Sequence, residues 1–355
     1  MDIRVGEGTI QITNPGLTVT TQLAAQNAIF QINAKTPNFP ISLNALTVTI
    51  DGNEYAVNLA DGTGWSEIYI ALPPVTDKKV SFLAKDDNGR MFGYSKSGVT
   101  FTAGKYYISE LTMEYVFSVG ADKRVCFSKG NLQYNGSTWK FAEKQWDNLS
   151  FKCAGAAGSS AIDLFTWGNI SNLSFTGTEY DTYSSTLNNT TAQGTAGSDW
   201  GYNAISNGGN KNSQWRTLTI NEWEFLLKNR TVNGGTGEGK SYTTNQTIDG
   251  YQGMVIYPDG YSGAVYSGRD WGTFEKAGCV FLPAGGRRSA STITGYQKDK
   301  DNKEGSGYYW SATCSGSSDK ALYMEFSGSN LIIHTTWTGD ANKQLGYSVR
   351  LVRDL

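Results

Sequence analysis

Catalysis and metal binding draw on few residue types, and this chain of 355 residues is sparing with them. His334 is its single histidine. A histidine can serve as a base or a pH switch near neutrality, but a lone one in a Thr-rich strand reads as a surface residue. The four cysteines, Cys126, Cys153, Cys279 and Cys314, include no Cys-x-x-Cys pair, so the spacing of a structural zinc site is missing. Three complete disulfide pairings are open to them, and so is a role as buried or incidental thiols, which is the reading preferred. Asp299-Lys300-Asp301-Asn302-Lys303-Glu304 carries oxygen ligands that a hard cation accepts. The same run reads more simply as a solvated loop. The Asn-x-Ser/Thr sequons at Asn148 and Asn245 are expected by chance in so Asn- and Thr-rich a chain. Nothing in the spacing gathers two carboxylates, so no enzyme activity, metal or cofactor is expected.

What remains is recognition, and the tail is where it would occur. Leu322, Met324 and Phe326 alternate with Tyr323 and Glu325. A period of two turns the first set to a core and Tyr323 and Glu325 outward. By the same rule Ile332, His334 and Thr336 share a face. Cys314, Ser315, Ser317, Ser318, Asp319 and Asp340 lie in the polar stretches around them. These residues form the candidate ligand-binding set, with Tyr323, His334, Thr336, Asp319 and Asp340 expected on one exposed face. Tyr323 is the expected anchor, since tyrosine supplies contact area at little rotamer cost. The flanking blocks, Tyr308-Tyr309-Trp310-Ser311-Ala312-Thr313 and Gly346 to Leu355, are aromatic and aliphatic. They read as rigid strands holding a surface whose chemistry is free to change.

Composition bounds what positions this tail. Gly 42, Tyr 20 and Trp 10, with abundant Ser, Thr and Asn, read as a mainly β, loop-rich chain of two or three domains with a minor helical component. A net charge of -2 argues against nucleic acid as a partner. No apolar run approaches the ~20 residues needed to span a bilayer. Met1-Asp2-Ile3-Arg4 shows no apolar signal region. A secretory signal absent from the sequence is the expectation, with the protein at the cell surface, in the outer membrane or a fimbrium.

Residues 1–115 hold no cysteine and read as one unit. Leu17–Thr20, Ala28–Ile32, Leu46–Ile50, Glu67–Leu72 and Lys79–Leu83 alternate as half-buried strands. Asp51-Gly52-Asn53 and Asp87-Asn88-Gly89 read as hairpin turns. Short strands with turns about every ten residues predict a β-sandwich. Trp65 to Pro74, with its Ala71-Leu72-Pro73 strand end, and Val99 to Tyr107, with Ala103-Gly104-Lys105-Tyr106-Tyr107, resemble the fimbrillin-type sandwich of Bacteroidales surface pili. That resemblance implies pilus subunits as partners.

Residues 116–355 read as a second unit, rich in Trp and in Gly/Ser/Asn/Thr loops such as Thr176 to Gly197. Val125 to Tyr134 alternates as one strand, with Trp139-Lys140-Phe141 as its partner. Ile220 to Asn229 reads as a helix, opened by a Thr219/Glu222 capping box. Trp223 and Trp310 are expected to be buried. Four ordered blocks carry a further resemblance: Trp215 to Trp223 with Arg230, Val280 to Arg288, Tyr309 to Thr313, and Gly346 to Arg353. They are similar to the C-type-lectin-like α+β fold of the formylglycine-generating-enzyme type, above all to the variable proteins of diversity-generating retroelements. The enzymatic branch uses a pair of nearby cysteines for copper, whereas Cys314 stands alone in that region. Trp337-Thr338-Gly339-Asp340 resembles only faintly the Trp-Asn-Asp element of calcium-dependent lectins, and the Glu-Pro-Asn element is absent. The resemblance therefore implies a surface or pilus-tip adhesin whose tail is open to diversification. Its ligand would be a protein or glycan on host or bacterial cells. Alternatives are a carbohydrate-binding accessory module of a glycan-uptake system, a residual oxidoreductase and a purely structural pilin.

Overall fold

The computed structural model describes residues 4–5, 24–58, 67–149, 162–168, 199–289, 292–295, 305–315, 319–334 and 340–355. Outside them lie the Leu17–Thr20 segment, Trp65 and Ser66, Cys153, the whole Thr176 to Gly197 stretch, the 299–304 charged run, Trp337 to Gly339, and the candidate ligands Ser317, Ser318 and Thr336. The fold is mainly β with a minor helical component, at 52% strand and 7% helix. Two compact units divide it: Met1–Tyr115 together with Leu355, and Val116–Asp354. No helix among the described residues is long and apolar enough to cross a membrane.

The first unit contains β1 (Arg4–Val5), β2 (Ala24–Ala25), β3 (Ala28–Lys35), β4 (Leu43–Ile50) and β5 (Asn53–Asn58). It continues with β6 (Glu67–Leu72), β7 (Val75–Asp86), β8 (Met91–Phe101), β9 (Tyr106–Thr112) and β10 (Glu114–Tyr115). One sheet runs β10-β8-β7-β4-β5 and another β6-β3-β9, in which β3 and β9 are parallel. Both sheets send side chains into one core, including Phe30, Ile32, Val48, Ile70, Phe82 and Leu111. Strict alternation makes this possible: in β3 every second residue is buried along all eight positions. The β4–β5 turn places Asp51 at φ 53° and Gly52 at φ 82° between the paired Ile50 and Asn53. Two left-handed residues are what a two-residue hairpin loop requires, and Asp-Gly supplies them at low cost.

The second unit opens with β11 (Phe117–Ser118), β12 (Arg124–Phe127), β13 (Leu132–Tyr134), β14 (Trp139–Phe141) and β15 (Arg216–Thr217). Then come helix α1 (Ile220–Glu224), β16 (Tyr242–Ile248), β17 (Tyr251–Ile256), helix α2 (Trp271–Lys276), β18 (Val280–Pro283), β19 (Arg287–Ser289) and β20 (Thr292–Thr294). The tail supplies β21 (Ser306–Cys314), β22 (Lys320–Ser327), β23 (Asn330–Ile333), β24 (Ala341–Asn342) and β25 (Leu351–Asp354). Three sheets matter to the site: β11-β12-β25-β15, β16-β17-β18, and β21-β22-β23 with β24 also on β22.

The helix shows its capping box. Thr219 Oγ1 accepts from the Glu222 amide at 3.1 Å, and the Glu222 carboxylate accepts from the Thr219 amide at 2.9 Å. The α-helix gives way at Phe225 to a π-helical turn through Asn229, which keeps Leu226 and Leu227 in the core below Trp223. The expected single strand from Val125 to Tyr134 is in fact two. Arg124–Phe127 pairs with β25 and Leu132–Tyr134 with β14. The chain breaks between them at Gly130, where the Ala142 carbonyl comes so close that a Cβ would sit 2.5 Å from it.

Candidate functional site

Pairing across the tail sheet puts Tyr308 opposite Glu325, Trp310 opposite Tyr323, and Glu325 opposite Ile332. The His334 amide donates to the Tyr323 carbonyl at 3.1 Å, continuing that row. One face of the sheet therefore carries Tyr308, Trp310, Tyr323, Glu325, Ile332 and His334. The other carries Tyr309, Met324, Phe326 and Ile333, all buried. Tyr309 fixes that inner face through bonds from its hydroxyl to the Pro283 carbonyl at 2.9 Å and from Asn131 at 3.1 Å.

The first face grades from dry to wet. At its dry end the Trp310 and Tyr347 rings stack with centroids 4.3 Å apart, and Tyr323 packs against both. Tyr323 is only 8% exposed, which corrects its expected place as an outward anchor. Alternation does turn it away from Met324, but Tyr308, Trp310, Tyr347 and His334 cover the side it turns to. Both faces of β22 are thus packed at this point. At the wet end Glu325 and His334 keep side-chain exposures of 20% and 15%, and Ile332 is 48% exposed.

The polar geometry converges on one oxygen. Glu325 Oε2 lies 3.3 Å from His334 Nε2 and 3.4 Å from the Tyr323 hydroxyl. The His334 ring stacks on Tyr323 with centroids 4.2 Å apart. Burial first, and then the Glu325 charge, pushes the Tyr308 and Tyr323 phenols above their ordinary range. Both stay protonated at neutral pH and act as donors. Exposed Arg287 lies with its guanidinium 5.6 Å from the centroid of the half-buried Tyr308 ring. The wet rim so holds a cation, a carboxylate, an imidazole, a phenol and an aliphatic side chain, mounted on paired strands.

A second group sits at the turn end of the β21–β22 hairpin. Ser315 Oγ donates to Asp340 Oδ2 at 2.5 Å, and Lys320 Nζ lies 3.1 Å from Asp340 Oδ1. The Lys343 amide donates to the Asp319 carbonyl at 2.8 Å, and the Lys343 ammonium sits 4.7 Å from the Trp167 ring centroid. Asp319 is exposed and Cys314 half-buried, whereas Ser315 and the Asp340 side chain are buried. The buried Asp340 carboxylate therefore does not join an exposed face with His334, and through Ser315 and Lys320 it ties the end of β21 to the start of β22. Burial works against the Asp340 charge, but the bonds from Ser315 and Lys320 and the Lys320 charge outweigh it and hold the carboxyl below its usual range. Its contribution is present above the ordinary carboxylate range and lost as pH falls through the lowered value. Asp340→Asn should cost about 1 kcal/mol or less at neutral pH, and the difference from the parent should begin to shrink only below about pH 4 and vanish once pH is under the lowered value, as read in urea titrations. An equal difference in acid and at neutrality would show that the ion pair contributes nothing.

Among the described residues Cys279 and Cys314 are free thiols, and no group of three or more His, Cys, Asp or Glu is gathered as a metal site. Cys279 is buried, and burial pushes its thiol up. Arg287 and Tyr308 are the rim residues that the sequence did not single out as ligands. Tyr308 comes opposite Glu325 only through a hairpin whose register shifts between Trp310 and Cys314, a signal that counting residues does not give, whereas Arg287 could have been found from its place beside Gly285-Gly286. Compared with protein-family models, with curated proteins and with solved structures, the chain finds no match.

Proposed function

We propose that this chain is an adhesin of the cell surface or of a pilus tip. In this reading a fimbrillin-like sandwich, residues 1–115, connects to a pilus or envelope. A C-type-lectin-like unit, residues 116–355, displays the ligand-binding face. The observation that carries the reading is the graded tail face. Its dry aromatic end fixes the strands, while its wet rim offers Arg287, Tyr308, Glu325, Ile332 and His334 in mixed chemistry. Such a rim suits recognition of a protein or glycan on another cell, because its side chains can change without disturbing the packed layer beneath. The diversified-tail resemblance deepens this reading, with Glu325, Ile332 and His334 as positions where substitution alters ligand choice.

The test is an Arg287→Ala/Ile332→Ala/His334→Ala variant, compared with the parent for melting temperature and for adhesion to host and bacterial cells. Arg287 and Ile332 are exposed, so their truncation shifts stability little, and His334, stacked on Tyr323 at one side of the packed layer, adds a small loss. Adhesion should fall about tenfold or more while melting is nearly unchanged. Full adhesion with an intact fold would place the binding face elsewhere.

A further inference from the structure

The first unit carries an exposed aromatic surface that the tail does not explain. Five large hydrophobic side chains are exposed among the described residues, and three of them share one sheet face: Tyr69 at 53%, Tyr106 at 51% and Ile108 at 63%. Register shows why they meet. Gln31 of the central strand β3 pairs with Tyr69 on β6 and with Ile108 on β9, and Ile29 pairs with Tyr106 in the adjacent row. The two tyrosine rings lie with centroids 6.5 Å apart and planes 17° from parallel. Neither hydroxyl is loose: Tyr69 donates to the Glu67 carboxylate and Tyr106 to the Gln31 side-chain oxygen. The rings are therefore held as a near-parallel pair above the sheet instead of sampling separate rotamers.

We propose that this outer face of β6-β3-β9 is a binding platform for neutral glycan chains. Fixed, exposed aromatic rings match the C–H faces of pyranose sugars, and they lose little entropy on binding because they are already tethered. The surrounding chemistry selects the occupant. Glu67 on an outer strand and Gln31 and Asn33 on the central one place acceptor oxygens among the rings, suited to hydroxyl donors. The cation among these outward positions, Lys35, is engaged by Glu110, which makes the face a poor fit for a phosphate, sulfate or sugar carboxylate. A second copy of the chain is the poorer fit. A two-fold pairing through this face would take the exposed Glu67 carboxylate of each copy out of water, and burying a charge in an interface is costly.

The full chain should be run by native affinity electrophoresis in gels containing, in turn, a β-glucan, an α-glucan, a galactan and a mannan. At least one polysaccharide should retard it. Tyr69→Ala/Tyr106→Ala should weaken that retardation about tenfold or more, and Tyr69→Phe/Tyr106→Phe, which keeps both rings, should retain most of it. Ile108→Asp gives a second disruption of the face without touching the tyrosines. All three variants alter exposed side chains, so their melting temperatures should match the parent's. Absence of retardation in all four gels overturns the proposal, as does equal retardation of the alanine pair. Self-association in sedimentation that the alanine pair abolishes, without any polysaccharide binding, would assign the face to a second copy and overturn it as well.

Discussion

Trp310→Ala should destabilise the second unit by about 3–5 kcal/mol, enough to lower its melting temperature by roughly 10 °C. Trp310 has no exposed surface. Its ring stacks on Tyr347 at 4.3 Å and meets Tyr323 edge-on at 6.2 Å. Its indole N–H donates to the Phe165 carbonyl at 2.7 Å. Truncation opens a cavity that the Tyr323 and Tyr347 rings cannot fill without giving up their own packing, and it removes one of the two hydrogen bonds that the buried Phe165 carbonyl accepts, the other coming from the Tyr347 amide. Trp310→Phe refills much of the volume but not the hydrogen bond, so it should fall between the parent and the alanine variant. Urea unfolding followed by near-UV circular dichroism would measure the series. A loss below about 1 kcal/mol for the alanine variant would mean that the aromatic layer does not hold the tail sheet.

The second large effect is expected at Asp259. Arg230 is buried, its guanidinium 2.7 Å from Asp259 Oδ1 and 5.3 Å from the Phe117 ring centroid. Burial pulls the guanidinium below its ordinary range, and the Asp259 charge opposes that pull. Arg230 also ties the π-turn to the following strands, donating to the Leu226 carbonyl at 2.8 Å and to the Tyr257 carbonyl. Asp259→Ala leaves a buried cation without its counter-charge, a change that costs about 3–5 kcal/mol in buried pairs. The low end is expected, because the Asp259 side chain is 15% exposed and water can enter. Adding Arg230→Met should cost less than the sum of the two single changes, since the second removes the charge that the first stranded. Strict additivity, or an Asp259→Ala loss under about 1 kcal/mol, would show that the pair is not coupled.

Much of the fold could be read from local chemistry. The Thr219/Glu222 box, the Asp51-Gly52 turn and the alternation of β3 each depend on residues a few positions apart, and each stands where the sequence places it. The site was less legible. Period two separates Tyr323 from Met324, but it says nothing about what lies above either face. Tyr347 reaches Tyr323 from far along the chain, and that contact decided the burial of the expected anchor. Likewise Tyr308 meets Glu325 only through the hairpin's register, and a register shift between Trp310 and Cys314 is invisible to a count of residues. Gly130 shows the same limit: it breaks an alternating run because a distant backbone needs the space.

The strand Leu351–Asp354 lies inside its sheet, between Arg124–Phe127 on one side and Arg216–Thr217 on the other. The pairing with Arg124–Phe127 joins opposite ends of the second unit, and the one with Arg216–Thr217 spans more than half of it, so this sheet rests on contacts of large sequence separation. Such a chain folds slowly, since loop closure must be overcome before long-range pairing compensates it. Until the tail is in place β12 and β15 have no common neighbour, and the tail carries the proposed recognition rim on its way there. Any sequence displayed on that rim must therefore be compatible with a late, concerted closure. A residue that slows threading would be lost through failed assembly before its binding could ever be tried.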